Sequence, residues 1–248
     1  MHRDKLFGIN AVVEALRSGR PVHRLLISHQ RKMDREVLEI IRLAHVKGIE
    51  VRMTTRDALN REVPNALHQG VVAITSARQY AMLDDILKIP EQKGQPALFL
   101  VLDGIEDPRN LGAILRTAEA TGVHGIIIPE RRAAGLTETV AKAAAGALEY
   151  VMVVKVVNIV NIIEELKKNG VWVIGAEAGG EAAYWDADFV RPTALVLGGE
   201  DKGVRRLVKE HCDGLVYLPL IGNISSLNVS VAAGALLYEV LRQRRKDK

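Results

Sequence analysis

Residues 98–118 read Leu98-Phe99-Leu100-Val101-Leu102, then Asp103-Gly104-Ile105-Glu106-Asp107-Pro108-Arg109-Asn110, then Leu111-Gly112-Ala113-Ile114-Leu115-Arg116-Thr117-Ala118. A strand that is apolar on both faces suits a parallel sheet covered by helices on either side. The turn-rich, charged segment after it leaves the strand at its carboxyl end, where ligands of parallel α/β sheets gather. The helical stretch that follows is expected to be capped by the side chain of Asn110. Arg116 comes two turns in, able to project toward whatever the loop binds.

The same signal recurs further along. Gly125 to Ile128, Val151 to Val154, Val171 to Ile174, Ala194 to Leu197 and Leu215 to Leu218 are short apolar runs, most of them separated by helical patterns. They predict an α/β domain over residues 97–248 with a parallel sheet at its centre. Its final helix, about Val229 to Arg242, opens with Ser230, Ala232, Ala233, Gly234 and Ala235, small residues that admit a ligand or another helix closely. Trp172 reads as core between Val171 and Val173, and the basic tail Arg242 to Lys248 as frayed.

Toward the amino terminus a smaller unit is legible. Ile9, Val12, Val13 and Leu16 recur at helical spacing and stop at Ser18-Gly19, Val22 to Ser28 reads as a strand, and a second helix runs from Asp34 to Gly48. A strand starting at Ile49, a short polar helix around Arg56 to Glu62 and the strand Val71 to Ile74 complete an α/β domain over residues 1–76. Residues 77–96, mixed in polarity and containing Pro90, Gly94 and Pro96, read as a linker.

Composition sets the class. The 248 residues are 48% hydrophobic and 26% charged, which excludes a disordered or collagen-like chain. The net charge of +4 is unevenly spread: the first 79 residues hold 14 Lys and Arg against 8 Asp and Glu, the remainder 20 against 22. A basic module beside a near-neutral one suggests a polyanionic partner for the first. The lone Cys212 allows neither an internal disulfide nor a multi-cysteine zinc site and favours a reducing compartment. No apolar run approaches the ~20 residues of a membrane span, and the charged start is not followed by a signal-peptide core. The expectation is a cytoplasmic protein with no membrane segment.

Two further clusters resemble ligand loops. Leu197-Gly198-Gly199-Glu200-Asp201-Lys202-Gly203 follows an apolar strand and precedes a helix, yet lacks both the dinucleotide glycine spacing and the Gly-Lys-Ser/Thr ending of a phosphate loop. Its glycines imply close backbone approach, and Glu200 places a carboxylate at the strand mouth. Leu218-Pro219-Leu220-Ile221-Gly222-Asn223-Ile224-Ser225-Ser226-Leu227-Asn228-Val229-Ser230 joins strand, turn and helix, with Ser226, Asn228 and Ser230 as neutral hydrogen-bonding groups. Taken singly, each cluster could be a turn or a helix cap.

Together, Asn110 to Ala118, Leu197 to Gly203 and Ile221 to Ala232 resemble, in order, the three motifs of the SpoU (TrmH) family of RNA ribose 2′-O-methyltransferases, within the SPOUT superfamily. Phe7-Gly8-Ile9-Asn10-Ala11-Val12 and His68-Gln69-Gly70-Val71-Val72-Ala73 look like the ends of the RNA-binding domain of the family's RlmB branch, which methylates guanosine in 23S rRNA. Asp201-Lys202 departs from some relatives at a variable position.

The resemblance implies a deep trefoil knot from about Ala194 onward, and an amino-terminal domain similar to the ribosomal L30e/L7Ae module. It implies S-adenosylmethionine as cofactor and S-adenosylhomocysteine as product, with cofactor contacts at Gly198, Leu218 and Leu227 and no metal. It further implies RNA as substrate, a homodimer through the carboxyl-terminal domain, and Asn110, Arg116, Glu200, Ser226 and Asn228 as the catalytic set. Arg116 falls where the family places an arginine near the reacting hydroxyl. A guanidinium with a pKa above ~12 is a poor base, so phosphate positioning and stabilisation of developing negative charge suit it better. Glu200 is expected to orient Arg116 or a substrate group. His68 is expected to be structural and Cys212 inert. Methylation of tRNA or another rRNA nucleotide, or RNA binding without catalysis, are the alternatives.

Overall fold

The structure, a computed structural model, describes residues 3–200, 202–223 and 225–246. Asp201 and Ile224, from the second and third motifs, lie outside the described residues, as do Met1, His2, Asp247 and Lys248. In chain order the elements are β1 (Arg3–Phe7), α1 (Ile9–Ser18), β2 (Val22–Ser28), α2 (Arg35–Val46), β3 (Glu50–Thr54), α3 (Arg56–Glu62) and β4 (Val71–Ser76). There follow α4 (Leu83–Leu87), α5 (Ile89–Lys93), β5 (Leu98–Asp103), α6 (Pro108–Ala120), β6 (Gly125–Pro129), α7 (Glu138–Ala143), β7 (Val153–Val156) and α8 (Ile159–Lys168). The chain continues through β8 (Trp172–Ala176), β9 (Ala182–Ala183), β10 (Thr193–Gly198), α9 (Arg206–His211), β11 (Gly214–Tyr217) and α10 (Val229–Lys246).

These elements form two compact units, Met1–Gln79 with Leu136–Tyr150, and Tyr80–Gly135 with Val151–Lys248. The first unit has a four-stranded sheet of order β1-β4-β2-β3, in which β4 runs antiparallel to both neighbours and β2 pairs β3 in parallel. β1 has no apolar run to announce it. It is an edge strand whose Leu6 faces Ala73 across the ladder while Lys5 reaches out to Glu62 at 2.9 Å. Gly8, at φ 88°, turns the chain into α1, and the Gln69 side chain accepts the Ile9 N–H at 3.0 Å. The Phe7–Val12 and His68–Ala73 stretches therefore meet in space. The inserted segment Leu136–Tyr150 buries Val140 and Ala144 completely. Its Glu149, 5% exposed, is paired with Arg20 at 3.2 Å and with Arg78.

The second unit is a seven-stranded sheet of order β7-β6-β5-β10-β8-β11-β9, parallel at every pairing. β10 lies between β5 and β8, with Thr193 level with Leu98 on one side and Trp172 on the other. Phe99, Val101, Ile127, Val173 and Val196 form one core with Ile159, Ile163 and Leu166 of α8. Burying each such large side chain stabilises by about 1.5–3 kcal/mol.

The stretch read as a linker is structured from Ala81 onward and carries α4 and α5. Ile86 of α4 is fully buried and packs where a side chain on Gly125 would collide with it. The Ala81 N–H bonds to the Val153 carbonyl at 2.9 Å. α10 also extends to Lys246 instead of fraying at Arg242. The Arg244 guanidinium fastens it by donating to the carbonyls of Pro96, Ala97, Phe189 and Arg191. Among the described residues no helix is long and apolar enough to cross a membrane.

Candidate active site

Because its strands are parallel, the large sheet gathers all their carboxyl ends at one edge. Three loops emerge there, 104–107 after β5, 199–205 after β10 and 218–228 after β11. The second loop is curled against backbone. Gly203 donates its N–H to Gly199 at 2.9 Å, and Gly199 donates to Asp103 at 3.0 Å. A Cβ on Gly198 would fall inside the backbone of Gly203 and Val204, and one on Gly199 would strike the Gly104 carbonyl. The close approach that demands these glycines is therefore between loops of the protein itself.

Two carboxylates from the strands flanking β10 fix the end of this loop. Asp103, ending β5, accepts the Arg205 N–H at 3.0 Å, and Glu177, just beyond β8, accepts the Val204 N–H at 3.3 Å. Glu177 also pairs with Lys209 at 3.2 Å. Neither carboxylate stands out in the sequence, although Asp103 is a charge at the end of an apolar strand.

A cleft of about 390 Å³ opens between the second and third loops. Leu197, Leu218, Leu220, Leu227 and Val229 supply apolar wall, and Glu177, Gly198, Glu200, Lys202, Ser225 and Ser226 supply polar groups and backbone. Five of the expected site residues, Gly198, Glu200, Leu218, Ser226 and Leu227, line it together.

Asn110 and Asn228 reach this edge by hydrogen bonding. The Asn110 amide donates to Glu200 Oε1, while its own carbonyl oxygen accepts from the Asn228 amide at 3.0 Å. Asn228 Oδ1 in turn accepts the N–H of Ser230 at 2.9 Å, in the first turn of α10. The three motifs are thus joined by one side-chain network. Asn110 does not cap α6, contrary to the reading of the sequence. Asp107 does so, accepting the Arg109 N–H at 2.8 Å, because Pro108 fits the first helical position, where no N–H is needed. The shift leaves the Asn110 amide, 8% exposed, free to face Glu200.

Comparison with known proteins accounts for this arrangement. Residues 97–238 match the SpoU rRNA methylase family, and residues 5–81 match the substrate-binding family of RNA 2′-O ribose methyltransferases. YacO of Bacillus subtilis (strain 168), named for the TrmH family of tRNA/rRNA methyltransferases, is 47% identical over 241 residues, covering 97% of this chain and 96% of its own. The chain belongs to the SpoU (TrmH) methyltransferase family. Among solved structures it resembles the SpoU methyltransferase AviRb from Streptomyces viridochromogenes, crystallised in complex with AdoMet. That match has a TM-score of 0.81 at 28% identity and covers 98% of this chain and 91% of AviRb. The TrmH/SpoU tRNA-modifying enzyme of A. aeolicus matches with a TM-score of 0.56 at 31% identity, over 66% of this chain and 85% of that one.

Within this SpoU fold, Arg116 stands apart from the other expected residues. It is exposed on α6, borders neither the cleft nor its neighbouring cavity, and makes no hydrogen bond or ion pair among the described residues. Glu200 is engaged with Asn110 and Asn228 and does not orient Arg116 within this chain. His68 is structural: it is buried, its Nδ1 accepts the Gly70 N–H at 2.9 Å and Nε2 faces Asn60 Oδ1 at 3.0 Å. Burial pushes the Cys212 thiol up to about 11, which leaves little thiolate. Trp172 is 40% exposed and not core, because it is the first residue of β8, at the strand's amino-terminal end, where Arg191 stacks on its ring at 4.8 Å. Among the described residues no group of three or more His, Cys, Asp or Glu could hold a metal ion.

Proposed function

We propose that this SpoU-family protein transfers a methyl group from S-adenosylmethionine to the ribose 2′-hydroxyl of a guanosine in 23S rRNA, acting as a homodimer in the cytoplasm. The observation that carries the chemistry is the joining of all three motifs by Asn110, Glu200 and Asn228 at the rim of one cleft. The cleft suits the cofactor, since apolar walls accept adenine and the methylene groups while Gly198, Leu218 and Leu227 present backbone. Family membership makes S-adenosylmethionine the group held there. The knot that the family implies takes in β10 and the two loops that border the cleft.

Bound in this cleft, the cofactor supplies an electrophilic methyl on a cationic sulfur. The protein must then align the ribose oxygen and favour its developing charge. Glu200 Oε1 is occupied by the two asparagines, so Oε2 is the atom left to accept a hydrogen bond from the ribose. Ser226 lines the cleft and shapes the same contact. Arg116 binds RNA phosphate and stabilises negative charge at the oxygen, with water or phosphate taking the proton.

Because Arg116 does not border its own chain's cleft, completion of the site by a second copy is the simplest arrangement. Two exposed apolar residues seven apart on α10, Val231 and Tyr238, support such a contact. The basic first unit supplies sequence-independent phosphate attraction. The RlmB-like ends of that unit support guanosine in 23S rRNA as the address.

The test is methylation of total RNA from cells lacking the gene, followed by nucleoside analysis and mapping. 2′-O-methylguanosine in 23S rRNA is expected. The same product in tRNA would refute the address, and methylation of a base would refute the chemistry. Light scattering of the full chain checks the dimer, with a monomer at micromolar concentration as the opposing result.

A further inference from the structure

A second cavity of about 290 Å³ lies beside the cofactor cleft, and Gly199, Glu200, Lys202 and Gly203 are common to both linings. Its remaining border brings Asp103 and Arg205 from one side together with Arg131 and Arg132, from the turn after β6, on the other. None of these belongs to the three motifs read as catalytic.

We propose that this cavity seats an RNA phosphodiester next to the target ribose, held between the guanidinium groups of Arg132 and Arg205. The proposal rests on the RNA methyltransferase reading above. S-adenosylmethionine has no phosphate, so a cavity that shares a wall with its cleft and sets Arg131, Arg132 and Arg205 among carboxylates on the same lining belongs to the other substrate.

Arg205 is preorganised for the task. Its Nε and Nη2 both donate to Asp103 Oδ1, at 2.7 and 2.6 Å, and the Asp103 side chain is fully buried. The guanidinium plane is thereby fixed while its side chain stays 53% exposed, leaving Nη1 hydrogens for a ligand. A fixed planar fork loses little freedom when it takes a phosphate.

Arg132 is set by its backbone. At φ 57° it occupies the left-handed region that non-glycine residues enter uncommonly. Its exposed guanidinium has no hydrogen-bond or ion-pair partner among the described residues. Such a conformation at a cavity wall is a feature of functional sites.

The cavity is not a general anion trap, because Glu106 and Asp107 also border it. Asp107 is committed to capping α6, but Glu106, without a hydrogen-bond or ion-pair partner among the described residues, is a carboxylate that repels a bare anion and accepts from a hydroxyl or base N–H. The mixture favours a nucleotide over inorganic phosphate.

Arg132→Gln, Arg205→Gln and Arg132→Gly, made in the full chain, test the assignment with deproteinised total RNA from a gene-deleted strain as probe. Each variant should raise KM for RNA at least tenfold and keep cofactor affinity, by calorimetry, within twofold of the parent. Each should also flatten the slope of log RNA affinity against log salt by about 0.7, the value for one single-strand phosphate. Arg132→Gly removes the guanidinium while relieving the backbone, so its melting temperature should match or exceed the parent's as RNA use falls. Inorganic phosphate should not compete at millimolar concentration.

Unchanged KM and salt slope, or a parallel loss of cofactor affinity, would overturn the phosphate seat. A parent protein that binds no S-adenosylmethionine, or methylates no ribose, would instead overturn the reading on which it rests.

Discussion

The amide of Asn110, in the first turn of α6, donates to the carboxylate of Glu200, just past the end of β10. Residues far apart in sequence are held together at the cleft by a charge-assisted bond, and Asn228 adds a second contact to each. Hydrogen bonds to a charged group contribute about 1.5–3 kcal/mol. A double-mutant cycle with Asn110→Ala and Glu200→Gln should therefore give a coupling of at least about 1 kcal/mol in kcat/KM. Strictly additive losses would show that the two act independently.

Arg116→Lys should reduce methyl transfer more than a hundredfold, with melting temperature and cofactor affinity unchanged, because the side chain is exposed and outside the cleft. Turnover within threefold of the parent, about 0.7 kcal/mol, would remove Arg116 from the mechanism.

Gly199→Ala should cost about 3 kcal/mol or more in chemical denaturation, since the added methyl meets the Gly104 carbonyl in a loop with no slack. Gly234→Ala in α10 is the control. Nothing lies within 4 Å of its added methyl, and stability should rise by about 0.5–1 kcal/mol. Equal effects at the two positions would contradict the packing described.

His124 gives the fold an acid-sensitive point. Its Nδ1 accepts the Leu98 N–H at 3.0 Å, and Nε2 faces Gln95 Oε1 at 3.2 Å, so the neutral ring is the one that fits. Burial first, then Lys93 and Arg244, push its pKa down to about 4. The unfolded ring titrates near ~6.5, so between that pH and 4 the unfolded chain binds more protons. Stability is fully present above the window and falls as pH drops through it, by up to about 1.4 kcal/mol per unit. Urea midpoints from pH 7.5 to 4.5 should show this slope, and His124→Gln should lower stability at pH 7.5 while flattening it.

Deleting residues 1–79 should not leave a clean methyltransferase domain. Val140, Ala144 and Leu148 of the inserted segment lose the unit in which they are buried, and Glu149 loses Arg20 and Arg78. Residues 80–248 should bind a hydrophobic dye and unfold at lower denaturant than the full chain. A dye-silent, equally stable fragment would refute this.

The parallel strands were legible because runs apolar on both faces have few other uses, and the motif loops because turn residues follow them directly. β1 was not, since its burial comes from one ladder with β4 and one inward Leu6. In α4 and α5, Asp84, Asp85 and Lys88 obscured the inward spacing of Leu83, Ile86 and Ile89. The Asn110 cap was misplaced because Asp107 and Asn110 are both competent caps, and Pro108 decides between them. Nothing in the sequence singles out Arg131, Arg132 and Arg205; the last is more than 70 residues from the other two, and they meet only where the sheet edge brings them to one cavity. Trp172 misled because apolar neighbours in sequence do not show that the residue is the first of its strand, at the exposed amino-terminal end of β8.

The place of β10 between β5 and β8 also constrains how the molecule is made. Both neighbours leave the ribosome before β10 does, and neither can complete its ladder until residues 193–198 emerge. The central pairing of the sheet is therefore among the last to form, and two apolar strand edges wait open during synthesis. A pause in translation between β8 and β10 would prolong that exposure, so the nascent chain is most in need of chaperone cover there.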